Sequence, residues 1–456
     1  MIDTEALKNK LLQQAVRGQL SERMSTDTPV DSTLKPYTPT RDVVLPEIPP
    51  EWRYCKFDHV FINRDSERIP VSVAERKKRD KIYDYYGASG VIDKIDDYLF
   101  DEKLLLIGED GANLLSRSTP IAFIADGKYW VNNHAHVLQM SDFILLEFAE
   151  IAINAMPLEP YVTGSAQPKL SQRMMNTIAV PIPPIEEQAR IVQKLAEAFR
   201  ILGTIDSLQK SLASNTSVLK ERIASSAIHG QLTEQLESDG TTRDLLERIG
   251  AKRKELQKAK VIKKTKPFPP INRSETPFEI PENWEWVHLG DLYALSNGTA
   301  SRGSAGGSPR PVLRLADLTG DSINVGDVRE IALTDKEYAT HTVDKDDLII
   351  IRVNGSKSKV ASFFVFPDAQ SMSYCDHLFC AKSFSGMVDP AYIALVCRTD
   401  LVRMQVDPLI KTTAGQNTIS QGNLGKTIIP LPPLAEQKRI VERVNNLLQA
   451  LPDSEN

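Results

Sequence analysis

The phrase PIPPIEEQARIV, beginning at Pro181, returns as PLPPLAEQKRIV beginning at Pro430. Each reads as a Pro-rich strand end running into a helix start, and a chain that repeats such a junction 249 positions on is built from two copies of one unit. The register holds around it: Ser171-Gln172 aligns with Ser420-Gln421, Arg190 with Arg439, and Ile191-Val192 with Ile440-Val441. LKNKLLQQAVRGQLSE from Leu7 matches LKERIASSAIHGQLTE from Leu219 at an offset of 212, and IPPEWRYCKF from Ile48 matches IPENWEWVHL from Ile280 at 232. Offsets that grow along the chain are what insertions between matched blocks produce.

The order of the blocks is circular. A helical fragment (1–27) precedes a mixed segment (46–181), a full helical region (185–262), a second mixed segment (278–430) and a second helical fragment (434–456). The N-terminal fragment resembles the second half of the middle helical region, and the C-terminal fragment its first half. The predicted fold class is therefore α+β: two mixed α/β domains separated by a long antiparallel, coiled-coil-like helical pair, in a pseudo-two-fold circular arrangement with the termini close together. Val192, Leu195, Phe199, Leu202, Ile205, Leu208 and Leu212 step by three and four, and the stripe resumes at Leu219, Ile223 and Ala227. One helix over 187–228 would be a spacer of ~60 Å at about 1.5 Å per residue. Gly18 and its counterpart Gly230 are expected to end helices or admit a close approach. The mixed segments hold short runs of Ile, Val and Phe broken by Gly, Asn and Asp, the pattern of strands and turns.

Catalytic motifs are missing from these segments. An amino-methyltransferase needs Asp or Asn before Pro-Pro and an aromatic residue after it; the pairs at Pro49, Pro183, Pro269 and Pro432 all fail. GNLGKT, ending at Thr427, lacks both P-loop spacing and the strand-to-helix context, and RGSAGGS from Arg302 reads as a flexible loop. Asp96-Asp97, Asp346-Asp347 and Glu186-Glu187 read as solvated charges and helix-start residues. His134 and His136 could share a strand face as half a metal site, but with no evident carboxylate or thiol partner a packing or hydrogen-bonding role is expected. Cys55, Cys375, Cys380 and Cys397 form no zinc-finger spacing and read as reduced structural thiols. No metal site and no enzymatic activity are expected. With no long apolar run and charges scattered through the N-terminus, the chain is expected to be cytoplasmic.

The net charge of −5 means that any polyanion contact is local. Residues 251–266 hold eight Lys or Arg against one Glu, and AERKKRDK from Ala74 holds five against two acids. Runs of this kind are most often solvated faces, but two of them beside no active site point to phosphates. Candidate DNA contacts are Tyr85, Tyr86, Ser89, Arg117, Asn133, His134, Gln167, Lys169 and Ser171 in the first segment. In the second they are Arg302, Arg314, Arg352, Asn354, Ser356, Lys357, Lys359, Gln416, Asn417 and Ser420. Arg and Asn suit base edges and Lys suits phosphate. The pairs Gln167/Gln416 and Ser171/Ser420 either contact phosphate or cap the following structure.

Two variable segments, each closed by P-x-P-P-x-x-E-Q-x-R-I-V, with a long central helix and a circularly split repeat, resemble the specificity subunit of type I restriction-modification systems. YYGASGVID, LLIGEDGANL and VNNHAHVL in the first segment, and VLRLADL, LIIIRVNGS and TTAGQNTIS in the second, resemble that family's target-recognition domains. The resemblance implies a DNA-binding protein of phage defence and DNA methylation, each domain reading one half of a split double-stranded site. It implies no cofactor on this chain. Two methyltransferase subunits would bring S-adenosylmethionine, and two nuclease/translocase subunits ATP and magnesium. One departure is DLLERIGAKRKELQKAKVIKK, whose counterpart position holds the Pro-rich stretch after the N-terminal fragment. The rival readings are a helical scaffold or regulatory decoy without specific DNA reading, and a methyltransferase with degenerate motifs.

Overall fold

The computed structural model describes residues 1–38, 43–164, 167–264 and 266–452. Thr265 of the basic run and residues 453–456 of the C-terminal fragment lie outside the described residues. The chain forms two compact units, Met1–Ser211 and Leu212–Asn456.

In the first unit the N-terminal helix Thr4–Ala15 starts at Asp3, whose carboxylate accepts from the Ala6 N–H. It runs antiparallel to the first half of the central helix Ile185–Ile228: Ile2 exchanges two hydrogen bonds with Gln209, and Ser21 meets Glu187 at the other end. One antiparallel sheet is ordered Phe61–Asn63, Ala135–Met140, Leu104–Gly108, Ala122–Ala125, and every residue of Leu104–Gly108 is buried. A second is ordered Gly90–Ile95, Tyr83–Gly87, Lys128–Val131, Phe100–Asp101, with its middle pair parallel. A two-stranded ladder of Arg53–Lys56 with Ala179–Ile182 closes the unit. Trp52, Phe57, Phe148, Met175, Ile191 and Leu195 share its core.

The second unit repeats this plan. Its sheets are ordered Tyr293–Asn297, Leu378–Ser383, Leu348–Ile351, Phe363–Val365, and Glu330–Leu333, Ser308–Leu313, Met372–Tyr374, Thr342–Val343, again with one parallel pair at the centre of the latter. Glu285–His288 pairs with Ile428–Leu431 as the closing ladder. The core joins Ala227 and Ile228 of the central helix to Trp284, Tyr392 and, from the C-terminal helix Leu434–Gln449, Ile440 and Val444. The addition foreseen in the sequence is the helix Thr242–Lys258, started by Thr241, whose hydroxyl accepts from Asp244 N–H, and seated by Leu245 and Ile249.

Three expectations change. The apolar stripe of the central helix is covered only towards its ends: Leu195 and Ala227 are buried, but Leu208 is 63% and Leu212 51% exposed. The physical reason is length, because helices of 12 and 16 residues pack beside one of 44. The acidic pairs are not all solvated, since Glu187 is fully buried and Asp347 nearly so. In AERKKRDK, Arg76 is buried against Asp93 and the Tyr85 ring, Arg79 pairs with Glu75 and Asp96, and Lys81 with Asp93, leaving Lys77 and Lys78 without an ion pair among the described residues. All four cysteines are free thiols, and burial pushes Cys55 up to about 11.

Candidate nucleic-acid interface

The repeated phrase is a set of hydrogen-bond acceptors and donors that fasten each sheet domain to its helix. Glu187 accepts from Trp52 Nε1 at 2.9 Å and Ser21 Oγ at 2.8 Å; Glu436 accepts from Trp284 Nε1 at 2.9 Å, Gln235 Nε2 at 2.9 Å and Thr233 Oγ1 at 3.1 Å. Gln188 accepts from the Leu145 N–H and Gln437 from the Asp389 N–H, each at 2.8 Å, and both amides donate back to their own Pro-rich turn. Arg190 binds Asp27 through both terminal nitrogens, as Arg439 binds Asp239. Such bidentate pairs fix orientation as well as distance. Both domains are thus held by equivalent bonds, with Gln235 an added donor in the second, and their loops emerge in equivalent places.

In the first unit these loops meet around Glu109. Its N–H donates to His134 O at 2.8 Å, its carbonyl accepts from Leu170 N–H at 2.8 Å, Gly111 N–H donates to Pro168 O, and Asn132 N–H to Tyr86 O. Gly108 lets Ala88 O approach so closely that a Cβ there would lie 2.5 Å from it. Tyr86, Ser89, Asn133, His134, Gln167, Lys169 and Ser171 are brought together in this way. Ser89, Asn133, His134, Gln167 and Lys169 are exposed, and Tyr86 is half-buried beside Phe123. Beneath them lies an ion network missed in the sequence. His136 Nδ1 is 2.6 Å from Asp65 and its Nε2 2.8 Å from Leu170 O, while Arg68 reaches Glu109 at 2.8 Å and Lys169 reaches it at 3.1 Å. Burial would raise Asp65 and Glu109, but hydrogen bonds from His136 and Arg68 outweigh it and hold both carboxyls below their usual values. Asp65, Glu109 and His136 stand close enough to share an ion, but Arg68 already supplies the positive charge there. The hydrogen-bonding role expected for His136 holds, with carboxylate partners that spacing did not reveal.

In the second unit the equivalent carbonyl, accepting from Ile419 N–H, belongs to Arg352. The same position thus carries a glutamate in one unit, paired with Arg68 and Lys169, and an arginine in the other. Arg352 stacks over Phe379 and donates to Asp376 O, and beside it opens a cleft of about 600 Å³ lined by Lys411, Ser420, Gln421 and Asn423, with no carboxylate among the described residues of its wall. Val353–Asn354, Gln416–Thr418 and Lys411–Thr413 form a small sheet whose hairpin turns at Ala414 and Gly415, both with positive φ (+47° and +78°). Residues 411–416 are exposed throughout, so Lys411 and Gln416 stand on a finger, next to exposed Ser356, Lys357 and Lys359. Arg302 is also exposed and reaches Asp376 at 3.7 Å. Asn354 is half-buried, its side chain accepting from Ser356 N–H.

Six sequence candidates are corrected or qualified. Tyr85 is 1% exposed, turned inward by strand alternation, with its hydroxyl on the Val71 backbone. Arg117 donates to Asn154 O and Met156 O at the end of the helix Leu146–Ala155, where burial lowers its pKa. Asn417 is buried and locks the finger, accepting from Thr412 Oγ1 at 2.7 Å and donating to Gly355 O at 2.9 Å. Arg314 is paired to Asp317 at 3.1 Å. Ser420 both lines the cleft and caps the short helix Gln421–Gly425, accepting from Asn423 N–H, whereas Ser171 makes no side-chain cap bond. Lys411, Gln421, Asn423 and the Asp65 network escaped notice because only folding makes them neighbours.

The family model described as type I restriction modification DNA specificity domain matches residues 49–211 and 281–455. The type I restriction enzyme EcoAI specificity subunit of Escherichia coli is 27% identical over 340 residues, which cover 64% of this chain and 57% of that protein. The StySPI specificity subunit of Salmonella potsdam is 28% identical over 275 residues, 59% of this chain and 50% of that one. The chain thus spans about half the length of these curated relatives. A solved structure described as showing complex assembly and conformational transition of the type I R-M system shares the fold, with a TM-score of 0.53 at 16% identity over 88% of this chain and 91% of that one. With the family match doubled on the same two halves that the repeated phrase closes, this chain belongs to the type I restriction-modification DNA specificity family.

Proposed function

We propose that the chain is the DNA sequence-specificity subunit of a type I restriction-modification complex, each unit reading one half of a split duplex target. The observation that carries this reading is one polar loop cluster repeated on two copies of one fold. Ser89, Asn133, His134, Gln167 and Lys169 serve one half-site; Arg302, Arg352, Asn354, Ser356, Lys357, Lys359, Lys411 and Gln416 serve the other. Lysines neutralise phosphates and set register, while Asn, Gln and Arg reach base edges. The central helix fixes the spacing of the half-sites, and its exposed Leu208 and Leu212 suit docking by partner helices.

On this reading the chain is non-catalytic. Two methyltransferase subunits carry S-adenosylmethionine, and two nuclease/translocase subunits carry ATP and magnesium. The complex works in the cytoplasm, in keeping with the finding that no helix among the described residues is long and apolar enough to cross a membrane. The test is to co-express the chain with the methyltransferase encoded beside it and map methylated bases across a genome. An asymmetric split motif is expected, one half of which changes when residues 46–181 are exchanged for those of a relative. A stable complex that leaves no marks and prefers no duplex would replace this reading with the scaffold.

A further inference from the structure

The two units carry the same groove, closed in one and open in the other. In the first it lies between Gln13 and Val16, residues 43–46, Ala155 and Ala179, and holds about 30 Å³. In the second the equivalent walls are Ser225 and Ile228, Glu275, Pro277 and Phe278, Met404 and Ile428, and the volume is about 670 Å³. These positions correspond at the offsets of 212, 232 and 249 that align the repeats.

Two differences open it. Gln13 donates to Ala155 O across the first groove, and its counterpart Ser225 is too short to do so. Gln188 grips Leu145 N–H as Gln437 grips Asp389 N–H, yet 11 residues separate Leu145 from Met156 and 16 separate Asp389 from the equivalent Gln405. The added five residues turn one helix, Leu146–Ala155, into two, Pro390–Cys397 and Asp400–Val406, and the second raises a new wall. Met404 on that wall is 76% exposed, and Phe278 opposite is held by stacking on His229 at 3.8 Å between ring centres.

The chemistry of the open groove is specific. Its surface is mostly apolar, with Ile228, Phe278, Leu401 and Met404 contributing. Glu221, Glu275 and Asp400 at its edge have no ion-pair partner among the described residues, whereas Arg398 is already paired with Asp321 at 3.2 Å. The volume falls in the range of about 300–1,000 Å³ that ligand sites occupy.

We propose that this groove of the second unit docks a partner protein through a segment that presents apolar side chains flanked by Lys or Arg. The proposal rests on the reading of the chain as one subunit of a complex. It makes the complex unequal: of two like partner copies, the one beside the second unit is gripped at an additional point that the first unit lacks.

The test titrates the full chain with the methyltransferase subunit encoded beside it and counts bound copies by native mass spectrometry. Two variants suffice. Glu221→Lys with Asp400→Lys reverses the edge charge at exposed positions, and Ser225→Gln restores the side chain that closes the first groove. Each is expected to weaken one partner copy at least tenfold and leave the other at wild-type affinity. Wild-type binding of both copies by both variants would overturn the docking site, and equal weakening of the two copies would overturn its one-sidedness. A wild-type chain that binds no copy would overturn the subunit reading, and this site with it.

Discussion

The indole N–H of Trp52 donates to Glu187 across 2.9 Å at a point where Trp52 is 3% exposed and Glu187 not at all. Trp284 and Glu436 repeat the contact in the second unit. A buried carboxylate is tolerated only while its hydrogen bonds are complete. Trp52→Phe leaves the Glu187 carboxylate short of one donor, and a loss of about 2–3 kcal/mol is expected, read as a lower urea midpoint of the first unit. Trp52→Phe with Glu187→Leu, which removes both partners, should recover part of it; no recovery would mean that packing rather than the hydrogen bond carries the cost.

Gly18 and Gly230 both have positive φ, +66° and +71°, and a Cβ on either would lie 2.4–2.5 Å from the Cγ of Pro49 or Pro281. Each ends a helix and lets the chain turn under the sheet domain. Alanine at either site combines left-handed strain with a clash against a rigid ring, so a loss of about 1–3 kcal/mol is expected. Thermal unfolding that matches wild type in either variant would contradict the close approach.

Lys357 and Lys359 are exposed and without ion pairs among the described residues, beside a finger whose Gln416 is also exposed. On the proposed function, each Lys→Ala change should weaken the complex on all duplexes alike and reduce the log–log salt slope by about one. Gln416→Ala should instead relax preference within one half-site and leave that slope unchanged. Binding isotherms at several salt concentrations, on matched and mismatched duplexes, separate the two effects.

Asp65 and Glu109 sit below their usual carboxyl values in the fold. A depressed carboxyl contributes stability that is complete above its unfolded value of about 4 and lost as pH falls through the folded one. The first unit should therefore loosen as pH falls below about 4, and Asp65→Asn should flatten that dependence while lowering stability at neutral pH. A pH series of urea midpoints for both proteins reads this directly.

Much of the fold was legible in the sequence. The doubled phrase located both strand ends and both helix starts, and the match between the blocks from Leu7 and Leu219 located the glycines that end the paired helices, because junctions of this kind are specified by residues close together in the chain. Cys55, Cys380 and Cys397 as buried thiols, and the hydrogen-bonding role of His136, were legible for the same kind of reason. The candidate site was legible only in outline. Exposed loop residues such as Lys357, Gln416 and Asn133 carry their loop character in Gly, Asn and Ser neighbours. Tyr85 and Arg117 looked the same in the sequence but face inward, since strand parity and the position of a neighbouring helix end decide their direction.

The sequence by itself determined that there are two copies, their order and their junctions, because periodicity and repeated local hydrogen-bonding groups survive in one dimension. Only tertiary structure decided that Glu109 and Arg352 occupy the same corner with opposite charge, that Asn417 is a lock rather than a reader, and that one groove is closed and its twin open. Those outcomes depend on residues far apart in the chain meeting at hydrogen-bond distance, as Arg68 meets Glu109 across 41 positions and Gln235 meets Glu436 across 201, and no local pattern encodes that distance.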